Sequence, residues 1–161
     1  MTFAGEPVLR EVVDADLPVF CEQQLDASAV HMAAFTARDP GDRAAFDGHW
    51  SRIRADPSVT LRTIEVVGQA AGHVAVYGPP TQREVTYWIG RPFWGRGIAS
   101  RALASFLRGL KERPLFARAA KDNLASIRVL EKCGFERFGD DAGFARGRGQ
   151  VIEEVLLTLK H

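Results

Sequence analysis

The chain has 161 residues, 46% of them hydrophobic and 25% charged, with 21 Lys and Arg against 20 Asp and Glu. A chain of this size and apolar content buries a full core as a single domain spanning residues 1–161, and its near-neutral charge gives no reason to expect nucleic acid or an anionic membrane as partner. Cys21 and Cys133 are too few for a disulfide framework; the opening Met1-Thr2-Phe3-Ala4-Gly5-Glu6 lacks a basic stretch followed by an apolar one, and no run approaches a membrane span, so a cytoplasmic protein is expected.

In chain order, residues 8–13 read as an apolar strand, after which Asp14 can cap a helix running through Leu17 and Phe20 toward Leu25. A second helix starts near Asp39-Pro40 and runs through Phe46, Trp50 and Ile53 to Ala55, where Asp56-Pro57 ends it. Asp39, Asp42, Asp47 and Asp56 are interleaved there with Arg38, Arg43, Arg52 and Arg54, the pattern of a salt-bridged exposed helix. Residues 59–67, 71–77 and 84–89 follow as three strands with turns at Gly68-Gln69 and Gly78-Pro79-Pro80, an antiparallel meander.

Next comes the most informative stretch, Tyr87-Trp88-Ile89-Gly90-Arg91-Pro92-Phe93-Trp94-Gly95-Arg96-Gly97-Ile98-Ala99. A β-branched and aromatic run leads into a turn whose two glycines bare the backbone. After it, Ile98, Ala102, Leu103, Phe106, Leu107 and Leu110 recur at helical spacing. Converging N–H groups and the positive end of a helix suit a phosphate, so the motif points to a phosphorylated cofactor. A dinucleotide-binding Gly-x-Gly-x-x-Gly fits poorly, because Ser100 replaces the third glycine, residues 91–94 intervene after the strand and Asp122 lies too far on. A turn shaped by glycine for packing alone is the other alternative.

Residues 114–119 read as a short buried strand, 123–133 as a helix, and 135–138 and 151–159 as closing strands, with residues 140–150 a mobile loop. Arg146 and Arg148 fit solvated loop residues. The strand-helix-strand step between residues 85 and 119 implies local parallel pairing, so the sheet is mixed. His31, His49, His73 and His161 show no paired ligand spacing, and no metal is expected.

Two blocks carry a family resemblance. Trp94-Gly95-Arg96-Gly97-Ile98-Ala99 resembles the acyl-CoA pyrophosphate loop of the GNAT acetyltransferase superfamily, with Trp94 where Gln or Arg is usual. The longer run from Tyr87, together with Asn123-Leu124-Ala125-Ser126 and Glu131-Lys132-Cys133-Gly134-Phe135, is similar to enzymes of the RimJ/RimL type. Residues 1–80 match only in general layout.

The resemblance implies an α/β fold with a single mixed, largely antiparallel sheet of about seven strands flanked by about four helices. It implies acetyl-CoA as acyl donor and a primary amine as acceptor, either a small molecule or a protein N-terminus, and is compatible with a homodimer. Tyr87, Trp88 and Ile89 would pair with pantetheine through a backbone splayed from its neighbour strand, and one N–H would face the thioester oxygen. Trp94, Gly95, Arg96, Gly97, Ile98 and Ala99 would hold the pyrophosphate, and Asn123 would hydrogen-bond the cofactor while capping its helix.

For the base, Glu84 begins the cofactor strand and resembles the acidic residue that many members place there, with Glu153 as rival within an apolar strand. The usual tyrosine acid, seven residues after the Asn, is Leu130 here. Ser126, one turn beyond Asn123, is then the candidate to reach the leaving thiolate, or it bonds pantetheine or backbone instead. No Gly-x-Ser-x-Gly elbow occurs and Cys133 fits packing, so direct transfer in a ternary complex is expected over an acyl-enzyme. The missing tyrosine keeps a non-catalytic acyl-CoA-binding domain open as the alternative. The acceptor would bind between the first two helices and the 140–150 loop.

Overall fold

The computed structural model describes residues 5–161; residues 1–4, on which part of the N-terminal reading rests, lie outside the described residues. Strands β1 (Val8–Arg10), β2 (Thr60–Val66), β3 (Gln69–Tyr77), β4 (Arg83–Ile89), β5 (Leu115–Ala120), β6 (Glu136–Ala145) and β7 (Gln150–Leu159) form one sheet in the order β1-β2-β3-β4-β5-β7-β6. Pairing is antiparallel except between β4 and β5, joined by the crossover helix α4 (Ile98–Arg108). The mixed, largely antiparallel sheet expected from the sequence is present. Its rear face is covered by α4 and α5 (Leu124–Lys132), where Val74, Val76, Val85, Leu103, Phe106 and Leu157 form the main core.

The front face carries α1 (Leu17–Gln23), α2 (Ala27–Ala33) and α3 (Arg43–Ala55). A smaller aromatic core of Phe20, Phe46 and Trp50 packs there, with Leu61 against it. Among the described residues, five α-helices stand where about four were expected. The addition is α2, only seven residues long and too short for a periodic pattern; Asp26 caps it by accepting from the Ala29 amide. Helix α3 begins at Arg43 with Asp42 as cap, later than the Asp39-Pro40 start, and Arg43–Asp47 supplies one exposed i,i+4 pair.

Two other expectations change. The stretch 140–150 is no loop: β6 continues to Ala145, and only a tight tip turns into β7. Its polar composition hides a strand because β6 lies at the sheet edge, where the ladder with β7 holds it whatever its side chains prefer. The tip is anchored, not solvated. Arg148 donates to the His31 carbonyl at 2.6 Å and pairs doubly with Asp122 at 2.8 Å, its side chain 5% exposed, and the Gly147 amide donates to the Ala34 carbonyl at 2.8 Å.

At the other end, Asp14 caps nothing. Strand β1 stops at Arg10, a 3-10 turn covers Asp14–Asp16, and the organising residue is the buried Asp16. Its carboxylate accepts from Arg10 at 2.8 Å, the Val13 amide at 3.0 Å and the Thr63 hydroxyl at 2.7 Å, joining β1, β2 and the entry to α1. Burial alone would raise its pKa, but these hydrogen bonds outweigh burial and hold it near about 2, below the ordinary 3.8.

A depressed carboxylate pKa adds stability above its unfolded value and loses it as pH falls through the folded value. Wild-type stability therefore drops by roughly 2 kcal/mol between pH 5 and pH 2 on account of Asp16. Asp16→Asn, which removes the charge that Arg10, the Val13 amide and the Thr63 hydroxyl bond to, should cost about 1–3 kcal/mol at pH 7. In urea titrations at several pH values the gap between the two proteins should narrow below pH 4; a gap independent of pH would show that Asp16 is not ionised in the fold.

Candidate active site

Strands β4 and β5 pair through only two positions, Arg83 with Leu115 and Glu84 with Phe116, and then part. From Val85 to Ile89, β4 pairs with β3 on one side and has no strand on the other, while β5 pairs onward with β7. Main-chain groups along the open edge of β4 thus face a gap rather than a ladder. A cavity of about 640 Å³ occupies the gap and reaches both faces of the sheet. Alternation along β4 turns Val85, Tyr87 and Ile89 to the rear and Glu84, Thr86 and Trp88 to the front.

At the rear, the chain leaves β4 through a 3-10 turn over Arg91–Phe93 into the glycine loop. The Trp94 indole folds back and donates to the Ile89 carbonyl at 2.8 Å, so the residue that replaces Gln or Arg pins the loop to the end of its strand. Gly95 and Gly97 have φ of +74° and +71°, the left-handed region that side-chain-bearing residues avoid. A Cβ on Gly95 would meet nothing within 4 Å, and one on Gly97 only Arg101 Nε at 3.9 Å. Packing therefore does not require these glycines; backbone geometry does, and the bared space is open to a ligand. The first-turn amides of α4 lack intrahelical acceptors, and Arg101, bonded to the Gly97 and Arg96 carbonyls and paired with Glu6 at 2.8 Å, braces the turn. This is a nest that fits a pyrophosphate.

The start of α5 closes the rear wall. Asn123 Oδ1 accepts from the Ser126 amide at 3.2 Å, capping the helix, while its amide donates to the Met32 carbonyl at 3.1 Å and ties α5 to α2. Ser126 Oγ lies 2.7 Å from the Tyr87 hydroxyl. Burial pushes the Tyr87 phenol up to about 12, more than the Ser126 contact lowers it, so it is protonated at neutral pH. Leu130 is buried in the core, and a hydroxyl reaches Ser126 from β4 instead. Burial also raises the Cys133 thiol, whose Sγ lies 3.5 Å from the Ser100 carbonyl, a packing position rather than an activated one.

At the front, Arg118 gathers carboxylates: Glu84 at 3.0 Å, Glu154 at 2.8 Å and Asp141 at 3.8 Å. Tyr77 also donates its hydroxyl to Glu84, and burial raises that phenol further out of the neutral range. Glu153 lies elsewhere. It is exposed, and its 2.7 Å bond with Lys121 holds its carboxyl below the usual range.

The cavity thus brings together Glu84, Ser126, Asn123, the strand residues Tyr87, Trp88 and Ile89, and the loop residues Trp94, Gly95, Gly97, Ile98 and Ala99; Arg96 and Glu153 do not line it. Arg96 instead lies over the Phe93 ring, 5.8 Å from its centre. Sequence reasoning did not single out Tyr77, Arg118 or Glu154 as lining the site, nor the contact of the Tyr87 hydroxyl with Ser126. One signal was present: Val155, Leu157 and Leu159 alternate on the core side, so Glu154 shares the opposite face with Leu156. Among the described residues, no group of three His, Cys, Asp or Glu comes together to hold a metal ion, and no helix is long and apolar enough to cross a membrane.

Residues 8–136 match the family model described as an acetyltransferase (GNAT) domain. The uncharacterized N-acetyltransferase p20 of Bacillus licheniformis is 25% identical over 105 residues, 63% of this chain and 58% of the relative, so the chain matches little more than half of that protein's length. RimJ of Mycobacterium smegmatis, solved in complex with CoA-disulfide, superposes with a TM-score of 0.81 at 23% identity, covering 98% of this chain and 83% of RimJ. Spermidine N-acetyltransferase from Vibrio cholerae, solved with CoA and spermine, gives 0.78 at 16% identity, covering 95% of each chain.

A ligand held at a hundredfold excess over its Kd stabilises the folded state by roughly 2.7 kcal/mol, so CoA should raise Tm by roughly 5–10 °C. Gly97→Asp, which adds a side chain in left-handed backbone and a negative charge in the nest, should remove that rise in differential scanning fluorimetry. An undiminished rise would place the pyrophosphate elsewhere.

Proposed function

Because this chain belongs to the GNAT acetyltransferase family, we propose that it transfers an acetyl group from acetyl-CoA to the nitrogen of a primary amine, directly and within a ternary complex. The observation that carries the reading is the division of labour across the open strand β4. Its rear side offers the glycine nest and the Tyr87–Ser126 hydroxyl pair, and its front side offers Glu84, Glu154 and Tyr77 around Arg118. Donor and acceptor would then approach from opposite faces and meet in the gap.

Bound there, acetyl-CoA supplies an activated thioester carbonyl. The chain's residues do the rest. The open main-chain edge of β4 orients pantetheine, and an N–H on that edge stabilises the negative charge developing on the carbonyl oxygen. The front carboxylates take the proton of the attacking ammonium, Glu84 or Glu154 being in reach of the gap where Glu153 is not. The Tyr87 hydroxyl, protonated and held against Ser126 Oγ, donates to the departing sulfur. A domain that only binds acyl-CoA would have no use for hydroxyls on one side of the gap and carboxylates on the other. A cytoplasmic location belongs to the same reading.

The direct test is release of free CoA thiol with a panel of amines; binding of acetyl-CoA without release for any amine would favour the binding-only reading. Tyr87→Phe and Ser126→Ala should each lower kcat by about 10²-fold, the low end of what a general acid contributes, with little change in acetyl-CoA affinity. Affinity falling in proportion to rate would make Ser126 a pantetheine ligand instead. Changing the true base, Glu84 or Glu154, to Gln should depress turnover most near neutral pH and recover partly as rising pH deprotonates the free amine. Parental pH profiles in both variants would remove them from the mechanism.

A further inference from the structure

A second cavity, of about 740 Å³, lies on the front face between α3 and strands β2–β4. It meets the first at Tyr77 and Thr86, which line both. Its rim is fixed: the buried Arg83 donates to the Gly78 carbonyl at 2.7 Å and the Ser58 carbonyl at 2.6 Å, tying the β3–β4 turn to the α3–β2 connection, and pairs with Glu112 at 2.6 Å. The cavity is therefore held open by the fold rather than shaped by an incoming molecule.

Its walls are rings and aliphatic groups. Trp50 and His73 meet edge to face with centroids 4.9 Å apart, His73 meets Phe20 behind it at 4.9 Å, and Ile53 and Leu61 complete the wall. Burial pushes His73 down to about 4, with His49 adding to the effect, and lowers His49 as well, so both imidazoles are neutral at pH 7. The carboxylate at this end, Asp56, is exposed at the rim and already accepts from Ser58. Between it and Glu84 a second ammonium would find apolar surface, which strips its water and offers no counter-charge.

The junction end has the opposite character. One guanidinium, Arg118, stands among Glu84, Glu154 and Asp141, leaving an excess of negative charge at this end. A single ammonium suits that end; a carboxylate beside the amine is repelled by it.

We propose, resting on the transfer reading above, that the acceptor is an arylalkylamine: a primary amine with one positive charge, no carboxylate, and a planar apolar body seated against Trp50 and His73. Free amino acids fail at the Arg118 cluster and polyamines fail along the ring-lined wall. The planar body gains edge and face contacts that an aliphatic chain cannot make.

The test pairs turnover with binding. CoA release with 2-phenylethylamine, phenylalanine and spermidine should give a kcat/KM at least tenfold higher for 2-phenylethylamine than for either competitor. Ile53→Trp, which fills the cavity from the α3 side, should raise KM for 2-phenylethylamine at least tenfold while leaving the CoA-induced rise in Tm unchanged. Spermidine or phenylalanine turned over equally well, or an unaltered KM in Ile53→Trp, would overturn the proposal. Calorimetric titration of 2-phenylethylamine into CoA-loaded protein separates the two readings. Binding that Ile53→Trp abolishes, without acetylation of any amine, upholds the cavity's ligand and defeats transfer; no binding in the parent defeats the ligand while leaving transfer to other amines intact.

Discussion

Everything at the site follows from the parting of two parallel strands after two paired residues. Main-chain N–H and C=O groups are obligatory hydrogen-bonding groups, and a sheet that opens in its middle leaves a row of them without a neighbour. Sheets normally confine such rows to their edges. Here the interior edge of β4 lies between two packed helical layers, where an elongated polar ligand such as pantetheine can complete the ladder. The opening also gives the cavity access to both faces, so one strand lines it with Tyr87 at the rear and Glu84 at the front through nothing more than alternation.

Charge is distributed to match. The rear carries bare amides and a helix N-terminus, while the front carries three carboxylates around Arg118. Phosphate belongs with the first set and an ammonium with the second. The chain's formal charge of +1 conceals this, because separation within the site cancels in the sum.

The cofactor half was legible in the sequence for a physical reason: a left-handed turn restricts its residues to glycine, and a helix beginning after it imposes 3.6-residue spacing, so geometry writes itself into composition at Gly95, Gly97 and the residues that follow. The acceptor half was not. Helix α2 is shorter than two full helical turns, β6 is polar because it lies at an edge, and Arg148 is indistinguishable in sequence from a solvated loop arginine although its side chain is buried against His31 and Asp122. Glu153 and Glu154 are chemically identical neighbours, and only strand parity, which a one-residue shift inverts, separates the exposed one from the one beside Arg118.

The anchoring of α2 has a consequence for the order in which the molecule comes into being. A helix of seven residues does not hold itself in water, and beyond its own cap this one is secured from Arg91, Asn123, Gly147 and Arg148, the last separated from His31 by 117 positions. Contacts that close such long loops form late, whereas the glycine nest is assembled from neighbours within a few residues of one another. Helix α2 is therefore fixed only once the final hairpin is in place, and that same hairpin supplies Val155 and Leu157 to the core against which α4 packs.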